Sequence, residues 1–140
     1  MPPVLIEEEF KKALPCLSNC MVVGDRRKFL TILLTLKCKV DSEGKSCDAL
    51  DGAALKQSSL IGSSATTVSE AIQCPEWNAY LQQGMSEANT KSTSRAQYIN
   101  KYALLPTDFS IHGGELTPTL KVKRPVVLEK YTKYVEAMYN

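Results

Sequence analysis

The chain has 140 residues, 44% of them hydrophobic and 23% charged, with 17 Lys+Arg against 15 Asp+Glu and a formal net charge of +2. That is one domain's worth of ordinary globular composition, long enough for a packed core without disulfide staples. A charge this close to neutral supplies no basic field for nucleic acid, and no apolar run reaches the roughly 18 residues of a membrane span.

Ile6, Phe10, Ala13 and Leu14 follow the i, i+4, i+7, i+8 spacing of a helix with one buried face. Glu7, Glu8 and Glu9 near its start and Lys11 and Lys12 near its end suit the helix dipole, and Pro15 stops it. The apolar run Cys20-Met21-Val22-Val23 predicts a strand, followed by a polar connection from Gly24 through Arg26, Arg27 and Lys28. From Phe29 the alternation is regular. Leu30, Ile32, Leu34, Leu36, Cys38 and Val40 fall on one face, and Thr31, Thr35, Lys37 and Lys39 on the other, which predicts a half-buried second arm of a long hairpin.

Asp41 to Gly52 is polar and turn-rich and is expected to be a loop. Ala53 to Ile61 is expected to form a helix closed by Gly62, and Thr67-Val68-Ser69-Glu70 has the spacing of a reciprocal capping box. Pro75 suits the first turn of a longer helix, along which Trp77, Leu81, Met85 and Ala88 make a core stripe. Tyr98 to Leu105 predicts a further strand ended by Pro106. The stretch from Asp108 to Pro125 is too punctuated by glycine and proline for a core element, and Pro125 opens a terminal helix with Val127, Tyr131, Tyr134 and Met138 as its apolar stripe. The fold class is therefore α+β: a small sheet with a long β-hairpin, packed by helices, within a single domain over residues 1–140.

Little catalytic chemistry is available to such a chain. Five cysteines (Cys16, Cys20, Cys38, Cys47, Cys74) lack regular spacing and read as reduced thiols; Cys16 and Cys20 have no second pair with which to hold zinc, so no metal site is expected. His112 is the only imidazole and sits in a loop-like stretch. No basic region leads into an apolar segment at the N-terminus, and a cytoplasmic location is expected. Lys121, Lys123 and Arg124 stand out as three cations in four residues. By composition they are a solvated face, and an extended backbone would put Lys121 and Lys123 on one side with Val122 pointing away.

Phe109-Ser110 and Gly113-Gly114-Glu115-Leu116-Thr117-Pro118-Thr119-Leu120-Lys121-Val122-Lys123-Arg124 resemble the C-terminal motif of long-chain fatty acyl-CoA synthetases, members of the adenylate-forming enzymes. Pro2-Pro3-Val4-Leu5-Ile6-Glu7-Glu8, Val22 to Leu30, Leu33 to Cys38 and Ala65 to Glu70 extend the likeness to the bubblegum branch over nearly the whole chain. Thr117 stands where bubblegum members often have glycine and other long-chain synthetases threonine, and Tyr102 where tryptophan is expected.

The resemblance implies the C-terminal, mobile domain of a fatty acid–CoA ligase, with the fold of that domain. The parent reaction joins a long-chain fatty acid to ATP as an acyl-adenylate, then transfers the acyl group to coenzyme A. The family's C-terminal lysine, which reaches the carboxylate and α-phosphate in the first step, aligns with Lys121. Lys123 and Arg124 are expected to stay solvated, and Arg26, Arg27 and Lys28 are weak candidates for coenzyme A phosphates, with a solvated turn the competing reading. ATP and Mg would be held mainly by an N-terminal domain of the same synthetase that this sequence lacks, so the chain is expected to be inactive alone. Peripheral membrane contact stays open for the full-length enzyme. The alternative is a non-catalytic interaction module derived from a synthetase; a weaker third reading is a basic-loop domain that binds acidic ligands such as nucleotides.

Overall fold

The computed structural model describes residues 2–92 and 94–140. Helix α1, Pro3–Ala13, starts with a proline in its first turn and buries Ile6 and Phe10. Because it begins at Pro3, the three glutamates lie beyond the first turn, and Glu7 is buried rather than placed for the dipole.

Strand β1, Leu17–Val23, pairs antiparallel with β2, Leu30–Leu36, with Cys20 opposite Leu34 and Val22 opposite Ile32. The expected hairpin is present, but its second arm is shorter than the alternation suggested and is not half-buried. Strand β5, Ile99–Leu104, lies parallel along the other side of β2, giving the order β1-β2-β5. As the central strand β2 has protein on both faces, and even Thr31 and Thr35 have no exposed surface. Their hydroxyls are satisfied within the fold: Thr35 Oγ1 donates to Asp108 Oδ1 at 2.7 Å, and Thr31 Oγ1 to the Tyr139 hydroxyl at 3.1 Å.

At Lys37 the chain leaves this sheet. The Lys37 N–H donates to Cys16 O and its carbonyl accepts from Asp51 N, and a separate antiparallel ribbon follows, β3 (Cys38–Val40) with β4 (Ser46–Leu50). The loop expected over Asp41–Gly52 therefore contains a strand. Only the turn at its start is irregular, with Asp41 Oδ1 accepting the Glu43 and Lys45 N–H groups.

Among the described residues three α-helices and a short 3-10 turn, Arg95–Gln97, connect β4 to β5. Helix α2, Gly52–Leu60, is followed by Gly62 at φ +77°, the left-handed conformation glycine adopts without strain. Helix α3, Val68–Gln73, is capped by Thr67, whose hydroxyl accepts from Glu70 N; the Glu70 carboxylate reaches Thr66 N, one position earlier than a reciprocal box requires. Helix α4, Pro75–Asn89, buries Trp77, Leu81, Met85 and Ala88 as the spacing predicts. Trp77 is fully buried, so its indole N–H needs a partner: it donates to Ser58 Oγ at 3.2 Å, which donates onward to Ala65 O.

The terminal helix is two helices, α5 (Arg124–Lys130) and α6 (Thr132–Tyr139), broken at Tyr131 (φ −111°, ψ 29°). The break turns the stripe: Val127, Tyr131, Val135 and Met138 are buried, whereas Tyr134, expected in the core, is 38% exposed.

Two clusters result, one on each face of the central sheet. The larger joins Phe10, Leu14, Ile32, Leu34, Leu36, Trp77 and Leu81, and the smaller joins Met21, Leu33, Phe109, Leu116, Val127 and Tyr131. Among the described residues no helix is long and apolar enough to cross a membrane.

Candidate functional site

The punctuated segment after β5 has no regular element of its own, yet it is anchored at every turn. Asp108 fixes its start: Oδ1 accepts from Asn19 Nδ2 (3.0 Å), Thr35 Oγ1 (2.7 Å) and Phe109 N (2.8 Å), and Oδ2 from Ser18 Oγ (2.5 Å). Phe109 is then buried against Tyr131. The chain turns at Ile111–Gly114, where Gly114 sits at φ +86° and Ser110 Oγ accepts from Gly113 N.

Glu115 ties this turn to α5. Its side chain is 2% exposed and accepts from Ser110 N, Lys130 Nζ (3.0 Å) and the Tyr131 hydroxyl (2.9 Å), while its carbonyl accepts the Lys123 N–H at 2.7 Å. Burial alone would raise the carboxyl; the donors and the Lys130 charge outweigh it, so Glu115 is held below the ordinary carboxylate range. Burial pushes the Tyr131 phenol up to about 12, and its bond to Glu115 adds to the rise.

Leu116 bridges Val122, and between them the chain makes a tight loop. Thr117 closes it with Lys121: the Thr117 N–H donates to Lys121 O (2.8 Å), Lys121 N donates to Thr117 Oγ1 (3.1 Å), and Leu120 N donates to Thr117 O (2.8 Å). Pro118 supplies the fixed φ favoured early in a turn, and Leu120 takes the left-handed position at φ 67°. Lys121 and Lys123 are exposed while Val122 packs against the smaller core, the alternation expected of an extended backbone. Among the described residues the Lys121 ammonium makes no ion pair. A compact cation on a braced loop, without an ion pair among the described residues, is equipped to meet an anion.

Arg124 is not a solvated cation. Its guanidinium grips the Glu7 carboxylate bidentately, and Glu7 Oε2 also accepts the Val22 N–H at 2.7 Å. Nothing in the run Glu7-Glu8-Glu9 singles out Glu7 by sequence, and Glu115 lies inside the C-terminal motif without any sign of its bracing role. In the β1–β2 turn, Arg26 (φ 60°) and Lys28 are exposed, whereas Arg27 donates to Glu136 and lies over the Tyr139 ring at 4.7 Å. Arg27 thus departs from a purely solvated turn. It also lines, with Arg124, Pro3, Leu128 and Val135, an apolar groove of about 660 Å³. Among the described residues no ion pair joins the Arg26–Lys28 turn to the Lys121 loop.

His112 is exposed, and Cys16 and Cys20 are buried free thiols. Among the described residues no three His, Cys, Asp or Glu side chains assemble as a metal-binding group.

Long-chain-fatty-acid–CoA ligase ACSBG2 of Gallus gallus is 46% identical over 142 residues, covering 99% of this chain and 19% of that ligase. ACSBG1 of Homo sapiens is 45% identical over 143 residues, covering all of this chain and 20% of the ligase. The chain is homologous to a segment of the ACSBG-type long-chain fatty-acid–CoA ligases. It spans about a fifth of the length of these curated ACSBG relatives. No protein-family model matches.

The ACSBG-like chain also superimposes on part of the A domain of a carboxylic acid reductase from Segniliparus rugosus, solved with AMP and a co-purified carboxylic acid, at a TM-score of 0.66 and 15% identity over 99% of this chain and 18% of that one. The A domain of a carboxylate reductase from Mycobacterium chelonae gives 0.63 and 16% over 96% and 17%. At these identities the likeness establishes the fold, a small mixed sheet packed by helices as in domains of adenylate-forming enzymes.

Proposed function

We propose that this chain is the C-terminal, mobile domain of a long-chain fatty acid–CoA ligase and that Lys121 is its adenylation lysine. The observation that carries the reading is the combination at one loop: homology to ACSBG-type ligases along the entire chain, and a lysine exposed and unpaired on a hairpin that three hydrogen bonds close. In the first half-reaction the fatty acid carboxylate attacks the α-phosphate of ATP, forming the acyl–phosphate bond and expelling pyrophosphate. Negative charge accumulates between the carboxylate and the phosphate. The Lys121 ammonium bridges the two, an electrostatic contribution that costs little reorganisation because the loop is already built. In the second, the coenzyme A thiol attacks the acyl carbon, loses its proton and displaces AMP.

The fatty acid and MgATP are assigned to a larger N-terminal domain of the same ligase, and the reading places the ligase in the cytoplasm. The exposed Arg26 and Lys28 stand as the weaker candidates for the phosphates of coenzyme A, with Arg27 reserved by Glu136.

The test places this segment in a full-length ACSBG-type ligase in exchange for the homologous stretch. Lys121→Ala is expected to slow ATP–pyrophosphate exchange about 10²–10³-fold, with transfer from preformed acyl-adenylate to coenzyme A changed far less. Equal loss in both half-reactions, or none in the first, overturns the role of Lys121.

A further inference from the structure

Lys121 is presented by a loop whose conformation is not the one its residues would adopt unaided. Leu120 occupies the left-handed region at φ 67°, where a side chain meets the following carbonyl, and it is 64% exposed, so burial does not compensate. The neighbouring bonds hold it there, and all of them converge on one residue. Thr117 contributes its N–H to Lys121 O, its carbonyl to Leu120 N and its hydroxyl to Lys121 N, and that hydroxyl also lies 3.0 Å from Thr119 Oγ1. The first two bonds are available to any residue at this position. The third needs a side-chain acceptor on Cβ.

We propose that Thr117 is a positioning residue for adenylation: its hydroxyl ties down the peptide N–H of Lys121 and so fixes the direction in which the ammonium leaves the loop. The inference rests on the assignment of Lys121 to the first half-reaction. Without the hydroxyl, the Lys121 N–H turns to water, the strained Leu120 is free to relax, and the lysine samples a wider cone. Misdirection of this kind lowers the turnover of the step in which Lys121 acts and leaves the other step alone.

The experiment compares Thr117→Val, Thr117→Ser and Lys121→Ala in the full-length ligase carrying this segment. Valine keeps the β-branch and the two backbone bonds but removes the acceptor, and serine restores it. Each protein is read by pyrophosphate exchange, by transfer from preformed acyl-adenylate, and by amide hydrogen exchange of the peptide spanning 117–123. Thr117→Val is expected to lower kcat of pyrophosphate exchange about five- to tenfold, the worth of one hydrogen bond. The KM for fatty acid and the transfer step stay within about twofold of the parent. Amide exchange in the peptide is expected to accelerate. Thr117→Ser is expected to recover most of both effects. If Lys121→Ala is slow and Thr117→Val is not, the positioning role fails while the lysine assignment stands. If Lys121→Ala leaves pyrophosphate exchange intact, both fail. Equal loss in the two half-reactions by Thr117→Val marks general damage to the fold and also overturns the positioning role.

Discussion

Arg124 holds both carboxylate oxygens of Glu7, Nη1 to Oε2 at 2.9 Å and Nη2 to Oε1 at 2.8 Å, across a sequence separation of 117 residues. The pair joins α1 to the first turn of α5, and through Val22 N to β1. The Glu7 side chain is 10% exposed and that of Arg124 35%, so the pair is partly screened. Glu7→Ala, which strands both the guanidinium and the Val22 N–H, is expected to cost about 2–4 kcal/mol in urea unfolding. Arg124→Lys, which keeps the charge and loses the fork, is expected to cost about 1 kcal/mol. A Glu7→Ala midpoint equal to the parent's would show that the pair contributes nothing.

Glu115 is expected to make the fold acid-sensitive. Its carboxyl is lowered from the ordinary 4.5, so the unfolded chain takes up the proton first as pH falls. The stability it contributes is complete above pH 4.5 and is lost as pH drops through the lowered folded value. Glu115→Gln is expected to flatten the dependence of Tm on pH below 4.5 while lowering Tm at neutral pH. Some slope should persist, because Asp41, Glu70 and Glu136 are also lowered by their hydrogen bonds. An unchanged acid slope would show that Glu115 plays no part in it.

Gly84 lies where α4 crosses the end of α1, and a Cβ there would overlap the Leu14 side chain, which is itself fully buried. Helix propensity favours alanine by about 1 kcal/mol. The overlap outweighs it, since a filled core answers overpacking with about 1–3 kcal/mol of strain. Gly84→Ala should therefore lower Tm, and pairing it with Leu14→Ala should recover part of the loss; a rise in Tm for Gly84→Ala alone would contradict the packing.

Thiol labelling at pH 8 should separate the cysteines. Burial pushes Cys16 up to about 11, and burial together with the Glu7 charge pushes Cys20 up to about 12, so both should react only when the chain unfolds. Cys38 is also raised to about 11, by burial first, and should label slowly although it is only half-buried. Rapid native labelling of Cys16 or Cys20 would contradict the packing of α1 against β1.

Much of this was legible from periodicity. The stripe Trp77, Leu81, Met85, Ala88 became the buried face it predicted, because a 3.6-residue period reports directly on a single covered face, and the unbroken apolar run Cys20–Val23 became a strand covered on both faces. Strand β2 escaped that logic: its threonines mimic a wet face, and their burial is balanced by partners that the local sequence does not show, Asn19 and Asp108 for Thr35 and Tyr139 for Thr31. Strand β4, Ser46–Leu50, was masked by the polar, turn-rich stretch in which it lies. The motif singled out Lys121 as a candidate, yet it did not show the backbone bonds, the Thr117 hydroxyl contact or the Glu115 contacts that brace its loop. Glu7 looks like its two neighbours until Arg124 is brought beside it, and the break at Tyr131 is invisible until its hydroxyl is seen bound to Glu115.

The placement of β2 between two clusters makes its register indivisible. Ile32 and Leu34 serve one core while Leu33 serves the other, with Thr31 and Thr35 bonded on the Leu33 side. A slip of one residue would drive both hydroxyls into aliphatic side chains and pull Asp108 away from its anchor, so the same error that spoils the larger core would cast loose the root of the Lys121 segment. A misregistered chain thus has no half-working form: the segment that carries Lys121 is in place only when the strand beneath it is correctly threaded.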